Sequence, residues 1–574
     1  MDQTYDLVIR GGTVVDGSGT EPYRADVAVN GSTIAAVGDV AGTGREEIDA
    51  SGRIVTPGFV DIHTHYDGQL TWTSNLAPSS PHGVTTVVVG NCGVGFAPCK
   101  PEDRERLIVM MEGVEDIPDV VMAEGLQWEW ESFPEYLDAI ARRRYDVDVA
   151  AQLPHSPLRL YVMGDRAVAR EPANDADNAR MAELTREAIE AGAIGLGTSR
   201  TVHHRTKAGD TVPSFGALEA ELTALSEAMR DGGHGILQMV LDTDHVEEEM
   251  AMVASIARAT DRKVNYAAVQ FHNDPAQYRR MLDFAAEARR EGLSITVQIG
   301  PRPQGAIMGI ESQLNPFSLC PSFQAIDALP LAEKVAKMRD PAFRAMLLAE
   351  EPVITPNMKA LRRQFRQFDN IYYWGDSPDY MPSPDRTVAK LAAAKGVSPE
   401  EFAYDTLLEH DGHGLMYMPF CNFAEHDDRA VHEMIADPNT MIGLGDGGAH
   451  VNSMCDAAYP TYMLRYWTRG AGDRSFPLPW VIRALTSAPA EEIGLEDRGR
   501  IAPGYKADLN VIDYDAIGLR APRVVHDLPA GGRRILQDAT GYDATIVSGV
   551  ITRRHGAATG NLPGRLQRGP QPRP

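Results

Sequence analysis

No uninterrupted apolar run in this 574-residue sequence approaches the roughly 18 residues that suggest a membrane span. Met1 leads almost directly into the strand-like stretch Tyr5 to Arg10, without a basic start, apolar core or small-residue cleavage site, so no export is expected and a cytoplasmic location is. Cysteine is scarce: Cys92, Cys99, Cys320, Cys421 and Cys455 are odd in number and form no CxxC pair. A disulfide framework or zinc ribbon is therefore not expected, and a reducing compartment fits. Positive charge is also short. The 55 Lys and Arg against 80 Asp and Glu leave a net charge of -25, which repels nucleic acid phosphates and anionic lipid. Neither nucleic acid nor membrane is expected as a partner; a small diffusing substrate is.

What is present reads as a large folded protein. Hydrophobic residues make up 43% and charged residues 24%, ordinary values for a globular chain, and the length points to two domains. From Tyr5 to Ile48, short Val- and Ile-rich runs alternate with turn signals such as Gly11-Gly12, Asp16-Gly17 and Asn30-Gly31, the pattern of an antiparallel β unit. Ala507 to Ile512 and Ala544 to Thr552 have the same character, so the two ends are expected to pair into one discontinuous β domain.

Between them, apolar runs alternate with helical stretches, the signature of β/α units on a parallel sheet. Strands are expected near Phe59–His63, Thr85–Gly90, Asp146–Leu153, Ala193–Thr198, Gly235–Leu241, Lys263–Val269, Ser294–Ile299 and Met441–Gly445. Eight is the number that closes a (β/α) barrel. Asn178–Ala191, Ala217–Arg230, Val246–Ala259 and Ala276–Glu291 carry apolar residues at spacings of three and four and are expected as outer helices. The expected fold class is α/β: a TIM-like (β/α)8 barrel with a small discontinuous β-sandwich domain formed by both chain ends. Residues 1–57 and 491–555 belong to the small domain and 58–490 to the barrel, with an insertion at about 301–440 expected as a helical lid and 556–574 as a flexible tail.

In Phe59-Val60-Asp61-Ile62-His63-Thr64-His65, two histidines two residues apart at a strand end project to one side, an arrangement that presents both imidazoles to a borderline metal such as zinc. An isolated HxH also serves simply to close a strand by local hydrogen bonds. Asp446, in Gly443-Leu444-Gly445-Asp446-Gly447-Gly448-Ala449-His450, ends the eighth expected strand, where it can touch a metal and relay a proton; taken alone it reads sooner as a turn aspartate capping the next helix. The joint occurrence of HxH on the first strand and Asp on the eighth favours the chemical reading. Cys92, just past the second strand, offers a soft thiolate ligand or an inert buried thiol. Basic residues near the expected barrel mouth are candidates for substrate contact: His155, Arg159, Arg200, His203, Arg302 and His450. Each reads alternatively as half of a structural ion pair.

Leu7-Val8-Ile9-Arg10-Gly11-Gly12, Val55 to His65 and Gly504-Tyr505-Lys506-Ala507-Asp508-Leu509 together resemble the amidohydrolase superfamily over nearly the whole chain. Gly83 to Gly93, ending Gly90-Asn91-Cys92-Gly93, resembles its D-aminoacylase, or N-acyl-D-amino-acid deacylase, branch. The resemblance implies a barrel beside a small β domain, zinc at the barrel mouth, a homodimer, His63, His65 and Asp446 at metal and proton-transfer positions, and Cys92 in a bridging position. It also exposes a departure. A ligand histidine is usual at the end of the fifth strand, where this chain has Gln238, and another on the sixth, where it has Val264-Asn265-Tyr266-Ala267-Ala268-Val269. The lysine that usually follows that histidine is missing too.

One divalent cation, zinc, is therefore expected rather than two, at His63, His65 and Asp446 with Cys92, other divalent metals being alternatives. Gln238 joins the candidate substrate-binding residues. The expected activity is hydrolysis of an amide, with metal-activated water, Asp446 as general base and acid, and His155 or His203 at the oxyanion. Hydrolysis of a lactone, carbamate or cyclic amide at the same site is the alternative, and a non-catalytic binding barrel a third reading.

Overall fold

The computed structural model describes residues 4–354, 364–375 and 378–574. All eight expected strands of the central region are present. Leu153–Pro154, Gly195–Ser199, Ile236–Val240, Lys263–Ala268, Ile295–Ile299 and Thr440–Ile442 run parallel in that order. Phe59–Asp61, Val84–Val89 and Asp148–Ala151 form a second parallel set. The two sets are continuous at both ends. Only Gln152 separates Asp148–Ala151 from Leu153–Pro154, and a parallel bridge joins Thr64 to Gly447. There the His65 N–H donates to Gly447 O at 2.7 Å and the Asp446 N–H to His63 O at 3.0 Å. These two bonds place the first and last strand ends side by side.

The strands are apolar on both faces because helices cover them. Val84–Val89 reads VTTVVV and every residue in it is buried. The helix Asp175–Glu190 starts at Asn174, whose side chain accepts from Ala176 and Asp177, and turns Met181, Leu184, Thr185, Ala188 and Ile189 inward, the three- and four-residue spacing of a single helical face. Glu219–Asp231, Val246–Thr260 and Gln277–Arg290 form the other expected helices.

Thr4–Val14, Tyr23–Asn30, Thr33–Gly38, Thr43–Asp49 and Ile54–Pro57 share one nine-stranded sheet with Leu509–Ile512, Tyr542–Val547, Val550–Arg554 and Ala557–Ala558. The chain ends meet where Ile54–Pro57 pairs antiparallel with Leu509–Ile512. The sheet is mixed rather than antiparallel throughout: Thr4–Val14 lies parallel to both Thr43–Asp49 and Ile54–Pro57.

Two further expectations need correction. The insertion after Ile295–Ile299 is not only helical: Gln304–Met308, Met416–Cys421 and Tyr372–Tyr373 form an antiparallel sheet within it, with a separate core that includes Phe317, Phe323, Tyr404 and Met418. Residues 355–363 and 376–377 of that insertion lie outside the described residues. The tail expected to be flexible is laid against the protein instead. Tyr145 bridges Gly564, Val149 bridges Leu566 and Leu495 bridges Gln571, because backbone hydrogen bonds take up a Gly- and Pro-rich segment whose composition alone reads as loose. Among the described residues no helix is long and apolar enough to cross a membrane, and all five cysteines are free.

Candidate metal centre and substrate cavity

Four side chains from three widely separated parts of the sequence converge at the carboxyl ends of the parallel strands. His63 and His65 follow Phe59–Asp61, Cys92 follows Val84–Val89, and Asp446 follows Thr440–Ile442. His63 Nε2 lies 3.3 Å from Cys92 Sγ and 3.6 Å from Asp446 Oδ1; His65 Nε2 lies 3.7 Å from the same oxygen. One donor atom each from His63, His65 and Cys92 falls within 4.8 Å of the others. Tetrahedral zinc with bonds of about 2.0–2.3 Å has ligand-to-ligand edges of roughly 3.3–3.8 Å. The donors suit such an ion in chemistry, and the His63–Cys92, His63–Asp446 and His65–Asp446 separations fall in that range, while Asp446 stands outside the set of three mutually close donors.

The faces of the two imidazoles turned away from this point are also held. His63 Nδ1 is 2.8 Å from Gln298 Oε1, and His65 Nδ1 is 3.5 Å from Glu115 Oε1. For His63 the oxygen on the far nitrogen fixes the tautomer that leaves Nε2 free to ligate; His65 Nδ1 makes no hydrogen bond and meets only the Glu115 charge.

The backbone brings the other two donors in through uncommon conformations. Cys92 and Asp446 both have positive φ, 56° and 46°, a region that non-glycine residues rarely occupy and that persists where the surroundings impose it. At Gly90, with φ of 85°, a Cβ would stand 2.1 Å from Gln152 O, so glycine is required for the turn into Asn91-Cys92. Asn91 Nδ2 then donates to Val88 O at 2.9 Å and to Thr64 O at 3.2 Å, and the Cys92 N–H donates to Gln238 Oε1 at 3.0 Å.

Burial sets the electrostatics. It pushes the His63 imidazole down to about 4 and the Cys92 thiol up to about 12, against the opposing bond from His65. Burial also works against a charged His65, but the Glu115 charge and the Asp446 bond win and hold it well above the ordinary histidine value. Desolvation works against a charged Asp446 too, yet the His65 bond and the neighbouring imidazoles keep its carboxyl well below the usual carboxylate range. Asp446 is the most open of the four, its side chain 19% exposed against 1% for His63.

A cavity of about 860 Å3 opens over this cluster, walled by residues such as Glu115, Phe271, Gln304 and Met454. Of the candidate substrate residues, His203 and His450 line it. His450 is held by Asp116, 2.9 Å from its Nδ1. His155 and Arg159 do not line it. Both are wholly buried on Glu221, with His155 Nε2 at 2.8 Å and Arg159 in direct contact. Arg200 is turned to Glu249 at 2.9 Å. Arg302 is buried beside Asp456 at 2.9 Å, its guanidinium 3.5 Å from the centre of the Tyr380 ring. A carboxylate elsewhere in the fold holds each of these side chains. Gln238 lies beneath the cluster and supports Cys92 rather than reaching the cavity.

At the fifth-strand position the structure puts a buried neutral amide, Gln238, and of the sixth-strand stretch Val264–Val269, which has no histidine, Ala267, Ala268 and Val269 line the cavity. Gln238 Nε2 and both side-chain polar atoms of Asn265 lack a hydrogen-bond partner. Three residues escaped the sequence reading. Gln298 was detectable as a polar residue inside the apolar run Ser294–Ile299, and Arg205 as the last of the run His203-His204-Arg205. Glu115 ends the helix Arg104–Glu115 and carries no local signal.

Known proteins resemble this chain along almost its whole length. The chain is 28% identical to a D-aminoacylase of Alcaligenes xylosoxydans xylosoxydans, covering 98% of each chain. It is 32% identical to an N-acyl-D-aspartate deacylase of the same organism, covering 92% of each. Its fold matches that of N-acyl-D-glutamate deacylase from Bordetella bronchiseptica, solved with zinc and a phosphonate inhibitor, with a TM-score of 0.65 at 24% identity over 99% of this chain and 100% of that one. Residues 46–553 match the Amidohydrolase family, and the chain belongs to that family.

Proposed function

We propose that this amidohydrolase removes the acyl group from N-acyl-D-amino acids at a single divalent cation, zinc, held by His63, His65, Cys92 and Asp446. The observation that carries the reading is the convergence of two Nε2 atoms, a thiol and a carboxylate at the floor of one cavity. Identity to deacylases along almost the full length supports the reaction class. Neutral Gln238 at the fifth-strand position and the lack of a histidine in Val264–Val269 support one ion, since an amide is a poor substitute for imidazole on zinc. The parallel strands are read as a closed eight-stranded barrel, supported by the Thr64–Gly447 bridge, and the terminal sheet as the small sandwich domain.

A bound divalent cation lowers the pKa of water towards about 7 and polarises a carbonyl. The residues do the rest. Gln298 orients the His63 imidazole, the Glu115 charge faces His65, and Cys92 supplies negative charge once its proton is displaced. Asp446, ionised and partly open to the cavity, accepts the proton of the attacking water and delivers it to the departing nitrogen. His203 or His450 stands at the oxyanion; His155, tied to Glu221, does not.

The test combines metal analysis with turnover of N-acyl D- and L-amino acids, lactones and cyclic amides, before and after chelation. About one zinc per chain and chelator-sensitive hydrolysis of the D-substrates are expected. Turnover of lactones or cyclic amides alone would move the site to that alternative, and no turnover of any substrate would overturn the proposal.

A further inference from the structure

Cations near the cavity are almost all neutralised by the protein itself. Lys207 is paired with Glu112, Arg200 with Glu249 and Arg302 with Asp456. Arg205 differs. Among the described residues it is the one arginine or lysine lining the cavity, and no carboxylate stands within ion-pair distance of it. Its Nε donates to Val202 O at 2.6 Å and its Nη1 to Gly209 O at 2.8 Å. Two backbone carbonyls therefore aim the guanidinium without cancelling its charge.

The loop that carries Arg205 is pinned to the metal centre. At Gly113, in the helix that ends in Glu115, a Cβ would lie 2.4 Å from Thr206 Cα and 2.6 Å from Arg205 O, so the two backbones touch. The Thr206 N–H donates to Asp210 O at 2.8 Å, and Arg205 bridges Thr211, which closes the loop on itself. Pre-aiming lowers the ordering cost of binding and suits the planar fork of arginine to a carboxylate.

We propose that Arg205 docks the free carboxylate of the substrate, so that the cavity selects acylated amino acids over their amides, esters and lactones. The assignment rests on the deacylase reading and replaces the missing lysine after the sixth strand with a residue after the fourth. Asp244 also lines the cavity, in the turn after the fifth strand, and the two carboxylates beside the histidine pair favour this orientation. Glu115 and Asp446 lie at the metal end of the cavity and repel a second carboxylate, leaving the acyl carbonyl to enter there. His272 is a weaker alternative: burial, with His426, pushes it towards its neutral form, whereas arginine keeps its charge at any physiological pH.

Equilibrium titration of the metal-free full-length protein with N-acetyl-D-leucine and with N-acetyl-D-leucinamide separates the carboxylate contact from catalysis. The wild type is expected to bind the acid roughly 10- to 100-fold more tightly than the amide, as a charge-assisted bond predicts. Arg205→Ala should erase that preference and Arg205→Lys retain part of it, with zinc stoichiometry unchanged in both. On the zinc-loaded enzyme, the same loss should fall on KM for the acid. Unaltered affinity of R205A for the acid, or an equal loss for acid and amide, would overturn the assignment. Absence of turnover by the wild type would sink the deacylase reading alone, because the titration still decides the role of Arg205.

Discussion

His63 and His155 make an instructive pair. Each follows a strand of the parallel sheet, each is at most 1% exposed, and each is matched to a carboxylate. Around His155 every partner is supplied: Thr198 on Nδ1 and Glu221 on Nε2, both at 2.8 Å, with Arg159 completing the charge balance. Around His63 only the far nitrogen is settled, by Gln298, while Nε2 faces a thiol and a carboxylate below a cavity. Side-chain type does not separate a structural histidine from a reactive one. The number of partners left for something outside the chain does.

The comparison is broken most sharply at the open cluster. Asp446→Asn is expected to lower kcat/KM on the order of 10³-fold or more while leaving the fold intact by circular dichroism. His63→Ala should lose the zinc as well, read by metal analysis. If either variant kept wild-type turnover, the two histidine sites would not differ in kind.

At the closed site the loss should fall on stability instead. Glu221→Ala leaves a buried arginine without its partner and is expected to cost about 3–5 kcal/mol in denaturant unfolding, with zinc per folded chain unchanged. Loss of zinc at constant stability would reverse the assignment of the two sites. Gln298→Ala tests the boundary between them, because it touches the cluster only through His63. A drop of about 10- to 100-fold in zinc affinity is expected by chelator competition, with little change in unfolding. The smallest effect belongs to His245→Ala. That imidazole is also paired with a carboxylate, Asp242 at 3.0 Å, but its side chain is 63% exposed. Zinc stoichiometry should not change, and turnover should stay within about twofold.

Much of the fold was legible. The eight strands stand where short β-branched runs broke the helical periodicity, and the helices begin within three residues of their expected starts. HxH was legible because two residues of one strand share a side by local geometry. Arg159, Arg200 and Arg302 were assigned to the pocket as basic residues near strand ends, and the structure turns each to a carboxylate remote in sequence, Glu221, Glu249 or Asp456. The tail failed for the same reason: its partners Tyr145, Val149 and Leu495 are distant residues that composition does not register.

The sequence by itself determined the order and periodicity of the strands and helices, the family, and the identity of the metal-ligand candidates, since all of these rest on local spacing and residue chemistry. Only the tertiary structure decided which imidazole nitrogens point at the common centre, which cations are already neutralised, and which wall Arg205 faces. Those are questions of who stands beside whom between segments that are separate in sequence, and tertiary packing answers them where side-chain propensity cannot.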